Sequence, residues 1–353
     1  MPQSKKLITA GTMAGLGLLL ATLFVLYFHY YRPPSNAVAG SATLHLTFSE
    51  HAEHVWSVAF SPKEDLIASA SVDGTARLWR LSDGSVIRNL KHPSGITGLN
   101  FSRDGQELAT SSYDAQVRIW STASGELLKT LSGHTGTVWF VEFSPDGKML
   151  ASSGEDKTIK LWDITQGTLI KSLEGHSLNV WSVTFSPDGK KLASSSFDHT
   201  IKIWDIGTGR MERTLNGHTQ AVLQVDFSPD GRMLASCGDD SSVRLWNLSD
   251  GNLLRTMTGD LEHVYACKFS PDGKQVLSGS RDRSTFGELL QTILGETTNK
   301  GVTVRLWNVA DGSVTQSFAE PADDVHSVGF SRDGKWIAAG GADKRVYVWR
   351  IRP

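Results

Sequence analysis

Residues 134–173 read HTGTVWFVEFSPDGKMLASSGEDKTIKLWDITQGTLIKSL, and this stretch decides the fold. Apolar and polar residues alternate in four short runs separated by turn residues. A period of two over runs this short specifies four antiparallel strands, termed a to d, rather than helices. Pro145-Asp146-Gly147 supplies a tight turn between a and b, with the glycine taking backbone angles that other residues avoid.

The pattern recurs along the chain. The phenylalanine ending strand a falls at Phe60, Phe101, Phe143, Phe185, Phe227, Phe269 and Phe330, and the tryptophan of strand c at Trp79, Trp120, Trp162, Trp204, Trp246, Trp307 and Trp349. Both series step by 41 or 42 residues except for one step of 61, so there are seven units and one insertion of 19 residues in unit six. A single twisted sheet of four strands cannot bury both faces, so seven must pack side by side in a ring. Gly-His at 133–134, 175–176 and 217–218, with Trp-Asp at 162–163 and 204–205, resembles the WD40 repeat. The resemblance covers about residues 43–351 and implies an all-β, seven-bladed β-propeller of four-stranded antiparallel blades. Unit seven reaches Pro353 just after strand c, so Thr43–Phe48 (TLHLTF) is expected to supply its outer strand and close the ring.

The organisation expected is an anchor at 1–34, a linker at 35–41, and a propeller at 42–353 with an insertion at about 283–301. Leu7–Tyr31 contains no Asp, Glu, Lys or Arg, and about 20 apolar residues cross a bilayer as a helix. Lys5 and Lys6 before it, and Arg32-Pro33-Pro34 after it, predict a single transmembrane helix preceding the propeller. The alternative is a cleaved secretory signal ending at Ala37-Val38-Ala39, against which the apolar stretch is longer than a signal core. The positive-inside rule places the N-terminus in the cytoplasm and the propeller on the non-cytoplasmic side.

With 35 basic and 37 acidic side chains the formal net charge is −2, which excludes a globally basic nucleic-acid binder. No nucleic-acid partner is expected. Cys237 and Cys267 lie 30 residues apart without a zinc-ligand spacing, and each is read as filling core space. No cofactor is expected.

Five units carry a His, a Ser or Thr, an Asp and a Trp at fixed offsets. The sets are His51, Ser69, Asp73, Trp79; His92, Thr110, Asp114, Trp120; His134, Ser152, Asp156, Trp162; His176, Ser194, Asp198, Trp204; and His218, Ser236, Asp240, Trp246. Ser, His and Asp together suggest nucleophilic hydrolysis, but one enzyme needs one site. Fivefold repetition reads instead as a buried polar network, and the resemblance to WD40 domains implies the same structural tetrad. Unit six has Asp260 in place of the His but keeps Ser278, Asp282 and Trp307. Unit seven has Pro321 and Ala339 and keeps only Asp343 and Trp349, so these two blades are expected to be the least rigid.

The d-to-a and b-to-c connections share one face, the top, which the resemblance implies is the partner surface. The second residue of strand a enters it: Trp56, Thr97, Trp139, Trp181, Leu223, Tyr265 and His326. At its rim, before each Asp, stand Tyr113, Phe197 and Arg281 among others. Large stiff aromatic side chains and arginine dominate interface energetics. Trp56, Tyr113, Trp139, Trp181, Phe197, Tyr265, Arg281 and His326 are therefore the candidate protein-binding residues, with Arg281 read as a carboxylate or phosphate contact. The alternative is that the rings pack only on neighbouring blades. Twelve acidic against seven basic side chains in the top connections favour basic partners.

The insertion projects from this face. Phe286, Leu289, Leu290, Ile293 and Leu294 form one apolar stripe of a short helix, which could fold over the channel mouth, dock a partner or touch the membrane. The function expected is a non-enzymatic, membrane-tethered scaffold or adaptor. The competing reading, an enzyme or small-ligand sensor in the central channel, would need a non-repeating charged or metal-ligand cluster, to which His51 and His54 come nearest.

Overall fold

The computed structural model describes residues 42–63, 65–259, 263–281 and 303–351. These form 28 strands arranged as seven antiparallel sheets of four strands each. Blade three, for example, is Val138–Phe143, Met149–Gly154, Ile159–Asp163 and Thr168–Leu173. The expected anchor helix at 7–31, the linker at 35–41, the insertion at 283–301 with its apolar stripe, and Asp260 and Asp282 lie outside the described residues. Among the described residues no helix is long and apolar enough to cross a membrane.

The core lies between blades. Ile119 and Leu131 of blade two pack with Val141, Leu150 and Trp162 of blade three in one buried cluster. Burying a side chain of this size contributes about 1.5–3 kcal/mol, so each blade depends on its neighbours.

Ring closure follows the expectation from Thr43–Phe48. Ala42–Phe48 forms the outer strand of blade seven, pairing Ala42 with Ile351 and Phe48 with Val346. One side chain fastens it. In other blades a base at this register, such as Lys171 or Arg255, donates to backbone carbonyls of the next blade's c-to-d turn, Gly207 and Asp311 respectively, at 3.2 and 2.8 Å. Blade six has Gln316, whose Nε2 donates to the Ala42 carbonyl at 2.8 Å and whose Oε1 accepts from the Ala42 N–H at 3.2 Å. Lysine and arginine only donate, whereas the amide satisfies both backbone groups of Ala42, the first residue of the closing strand.

Strand a carries a bulge in every blade. The a–b register slips across its second position, between Val55 and Ser57 in blade one and between Val138 and Phe140 in blade three, and likewise in the other five. A bulge inserts one unpaired residue and re-aims its side chain. The residues so released are Trp56, Thr97, Trp139, Trp181, Leu223, Tyr265 and His326.

Candidate functional site

The tetrads of blades one, three, four and five share one geometry. In blade one the His51 Nδ1–H donates to Asp73 Oδ2 at 2.9 Å, Ser69 Oγ donates to His51 Nε2 at 2.7 Å, and Trp79 Nε1 donates to Ser69 Oγ at 2.8 Å. The acceptor-only carboxylate and the donor-only indole fix the direction of this relay. His134, His176 and His218 repeat it with Asp156, Asp198 and Asp240, and with Ser152, Ser194 and Ser236. Burial alone would raise each of the four carboxyls. The hydrogen bond from the histidine, with further hydroxyl and backbone donors, outweighs burial and holds them well below the usual carboxylate range. The serines have no exposed surface, so no substrate carbonyl reaches these hydroxyls, although the three residues mimic a hydrolase triad.

Blade two departs from its expected tetrad. Thr110 Oγ1 still contacts His92 Nε2 at 3.2 Å and accepts from Trp120 at 2.9 Å, but Asp114 is held by Arg118 through bonds of 2.8 and 3.2 Å. The cause is local. In blades one, three, four and five the residue after the histidine donates its backbone N–H to the tetrad Asp, as Ala52 does to Asp73 at 2.9 Å, and blade two has Pro93 there, which has no N–H. Burial and the Arg118 charge push the His92 imidazole down to about 4.

Blades six and seven are incomplete in different ways. Trp307 Nε1 donates to Ser278 at 2.8 Å. In blade seven Asp343 accepts from the Ala322 N–H at 3.0 Å and the Tyr347 hydroxyl at 2.8 Å. Trp349 Nε1, opposite Ala339 where other blades have the hydroxyl, is buried without a hydrogen-bond partner.

The bulged residues converge at the channel mouth. Trp139 and Trp181 stack with ring centroids 4.4 Å apart, Trp181 meets Trp56 at 6.1 Å, and Trp56 stacks on His326 at 4.3 Å. Tyr113 lies 5.9 Å from Trp139, Phe197 5.2 Å from Trp181, and Tyr265 5.0 Å from His326. Seven candidate residues therefore form one connected aromatic plate spanning the mouth. Trp139 Nε1 and both ring nitrogens of His326 are buried in it without hydrogen-bond partners. Burial, with the nearby His54, lowers His326 to about 4, so the ring is neutral at pH 7. The other two bulged residues join the blades: Leu223 is buried, and Thr97 donates to the Val138 carbonyl.

Arg281, read from sequence as an anion contact, faces Asp324 of blade seven, Nε to Oδ1 3.7 Å. Its charge is directed at a carboxylate of the same chain. His51 is committed to its tetrad and His54 stacks on His326 at 5.9 Å, so the two do not form a ligand pair. Among the described residues no group of three His, Cys, Asp or Glu could hold a metal ion.

Sequence reasoning missed the channel wall below the plate. Strand-a side chains there accept backbone N–H groups of the next blade: Asn100 from Phe143 at 3.1 Å, Glu142 from Phe185 at 3.0 Å, and Asp226 from Phe269 at 2.8 Å. Lys268 Nζ lies 2.8 Å from Asp226 and 6.0 Å from the Phe140 ring centroid. Burial is the largest influence on both charged groups. It raises Glu142 to about 7, while for Lys268 the charges of Asp226 and Glu142 outweigh it and hold the ammonium protonated. The signal was available: the residue before each strand-a phenylalanine is Ala59, Asn100, Glu142, Thr184, Asp226, Lys268 or Gly329, a position where three of seven blades place a charged side chain inside an apolar strand.

A sequence profile described as WD domain, G-beta repeat matches residues 42–80, 84–121, 125–163, 167–205, 209–247, 251–286 and 312–350. The chain is 34% identical over 59 residues to eukaryotic translation initiation factor 3 subunit I of Emericella nidulans, covering 17% of this chain and 18% of that protein. The Neurospora crassa subunit I is 39% identical over 59 residues, 17% of each chain. Pre-mRNA-processing factor 19 of Bos taurus is 37% identical over 60 residues, 17% of this chain and 12% of that protein. The matched stretch thus spans less than a fifth of each of these relatives.

Proposed function

This chain belongs to the WD40 repeat family, and from that premise we propose that it is a membrane-tethered, non-enzymatic scaffold binding other proteins through the top of its propeller. The observation carrying this reading is the aromatic plate of Trp56, Trp139, Trp181 and His326 with Tyr113, Phe197 and Tyr265. Its members are half-buried, so their outer surfaces offer stiff, amphipathic contact area at small entropic cost. Acidic side chains around the mouth, including Glu53, Glu155 and Asp239, favour a basic partner segment. Being a subunit of a larger factor, as the name of the translation-factor relatives states, agrees with an interaction role. In this reading residues 7–31 tether the protein, the N-terminus is cytoplasmic and the propeller lies on the other side of the membrane.

The test is affinity purification of the full-length protein from detergent-solubilised native membranes beside Trp139→Ala/Trp181→Ala, with co-purifying proteins identified by mass spectrometry. Each truncation of an interface anchor costs about 2 kcal/mol or more, some thirtyfold in affinity, so the double variant should lose its partners while keeping its circular dichroism spectrum. Partners retained by the folded double variant would sink the proposal. A second reading, a small polar ligand in the channel, is favoured by Glu142, Asp226 and Lys268. Native mass spectrometry of the intact protein would then show a retained small molecule that Glu142→Gln releases.

A further inference from the structure

The chain has two cysteines, and both are fully buried in the same core cluster between blades five and six. They occupy one register pair that recurs around the ring. Cys237 follows the tetrad serine on strand b, and Cys267 stands two residues before the phenylalanine on the next blade's strand a. Elsewhere strand b has Ala, Ser or Gly at this position and strand a has Val or Leu.

These positions touch across the blade boundary. A Cβ placed on Gly279 would lie 3.0 Å from Val328 Cγ1, and one on Gly340 would lie 2.9 Å from Val58 Cγ1. Between blades five and six the two thiols meet at the same place, with Gln224 holding both backbones. Cys237 is its partner in the a–b ladder, while Cys267 donates its N–H to Gln224 Oε1 at 2.9 Å and its thiol to the Gln224 carbonyl at 3.8 Å. A Cβ at the first position thus meets the γ-atom of the second across the boundary, and with cysteine at both positions the two side chains interact directly, the kind of proximity a disulfide requires.

We propose that Cys237 and Cys267 are a redox pair that a two-electron oxidant of the disulfide class joins into a bond between blades five and six. With oxidised glutathione, one thiolate attacks the disulfide and releases one glutathione thiol. The second thiolate then attacks the mixed disulfide, the protein S–S bond forms, and the other glutathione leaves as its thiol. Two protein thiols are oxidised and one glutathione disulfide is reduced. Burial, and then the neighbouring Cys267 thiol, push the Cys237 thiol well up, so exchange proceeds when the boundary opens and the bond then holds it shut. This pair does not depend on the scaffold reading.

The test uses the full-length protein in detergent, held below its Tm with either oxidised glutathione or dithiothreitol, then alkylated under denaturing conditions and mapped by mass spectrometry. Oxidation should yield a peptide pair linked through Cys237 and Cys267 within one chain. Closing a loop of 30 residues should raise Tm by about 5 °C, reversed by dithiothreitol. Cys267→Val, the residue most other blades carry here, should fold and show neither the link nor the shift. Thiols that stay alkylatable after oxidation, links found only between separate chains, or a fall in Tm would overturn the proposal.

Discussion

Replacing Ser194 by alanine removes one oxygen that satisfies two buried groups at once. Its hydroxyl donates to His176 Nε2 at 2.8 Å and accepts from Trp204 Nε1 at 2.9 Å, and both Ser194 and Trp204 are buried. Each buried polar group left without a partner costs about 1–3 kcal/mol, so the variant should lose about 2–5 kcal/mol. For a domain of about 300 residues the unfolding entropy makes 1 kcal/mol equivalent to roughly 1.5 °C in Tm, so a fall of about 3–7 °C is expected in a thermal melt. Blade seven supplies the reverse experiment. There Ala339 leaves Trp349 Nε1 without an acceptor, and Ala339→Ser should raise Tm by about 1–2 °C by supplying one. A Ser194→Ala variant within 1 °C of wild type would refute the argument that the repeated hydroxyl is the centre of each blade's polar network.

Arg118→Ala should cost about 1.5–3 kcal/mol, because it removes two bonds to the Asp114 carboxylate in a half-buried setting. Arg77→Ala, which breaks a pair with the exposed Glu50, should cost under about 1 kcal/mol; equal losses in the melts would contradict the exchange of partners in blade two. Glu142 has a folded pKa of about 7, raised above its unfolded value. The folded protein therefore binds more protons between those values, and this residue's contribution to stability falls as pH rises through the window. Glu142→Gln should gain up to about 3 kcal/mol over wild type at pH 8 and little at pH 4; a difference that does not change with pH would contradict the assignment.

The sequence carried the fold because the fold repeats. Seven phenylalanines and seven tryptophans in step located every blade, and the alternation in TLHLTF identified the closing strand. The tetrads were legible for the same reason, except in blade two, where the signal was the single imino acid Pro93. The candidate site was legible as a set of residues but not as an arrangement. That Trp56 of blade one touches Trp181 of blade four depends on bulges that strand alternation does not announce. Asp324 opposite Arg281 and Ala42 beside Gln316 are contacts between neighbouring blades that no fixed offset encodes. Glu142 and Lys268 escaped notice because a search built on repetition passes over positions whose residue type changes from blade to blade.

Photocrosslinking from inside native membranes tests the docking surface most directly, with a crosslinking amino acid placed at Tyr113 on the top rim in one variant and at Lys190 on the opposite face in another. The account predicts specific adducts from Tyr113, abolished when Trp139 and Trp181 are also replaced by alanine, and none from Lys190. Adducts from Lys190 alone, or equally from both positions, would contradict it.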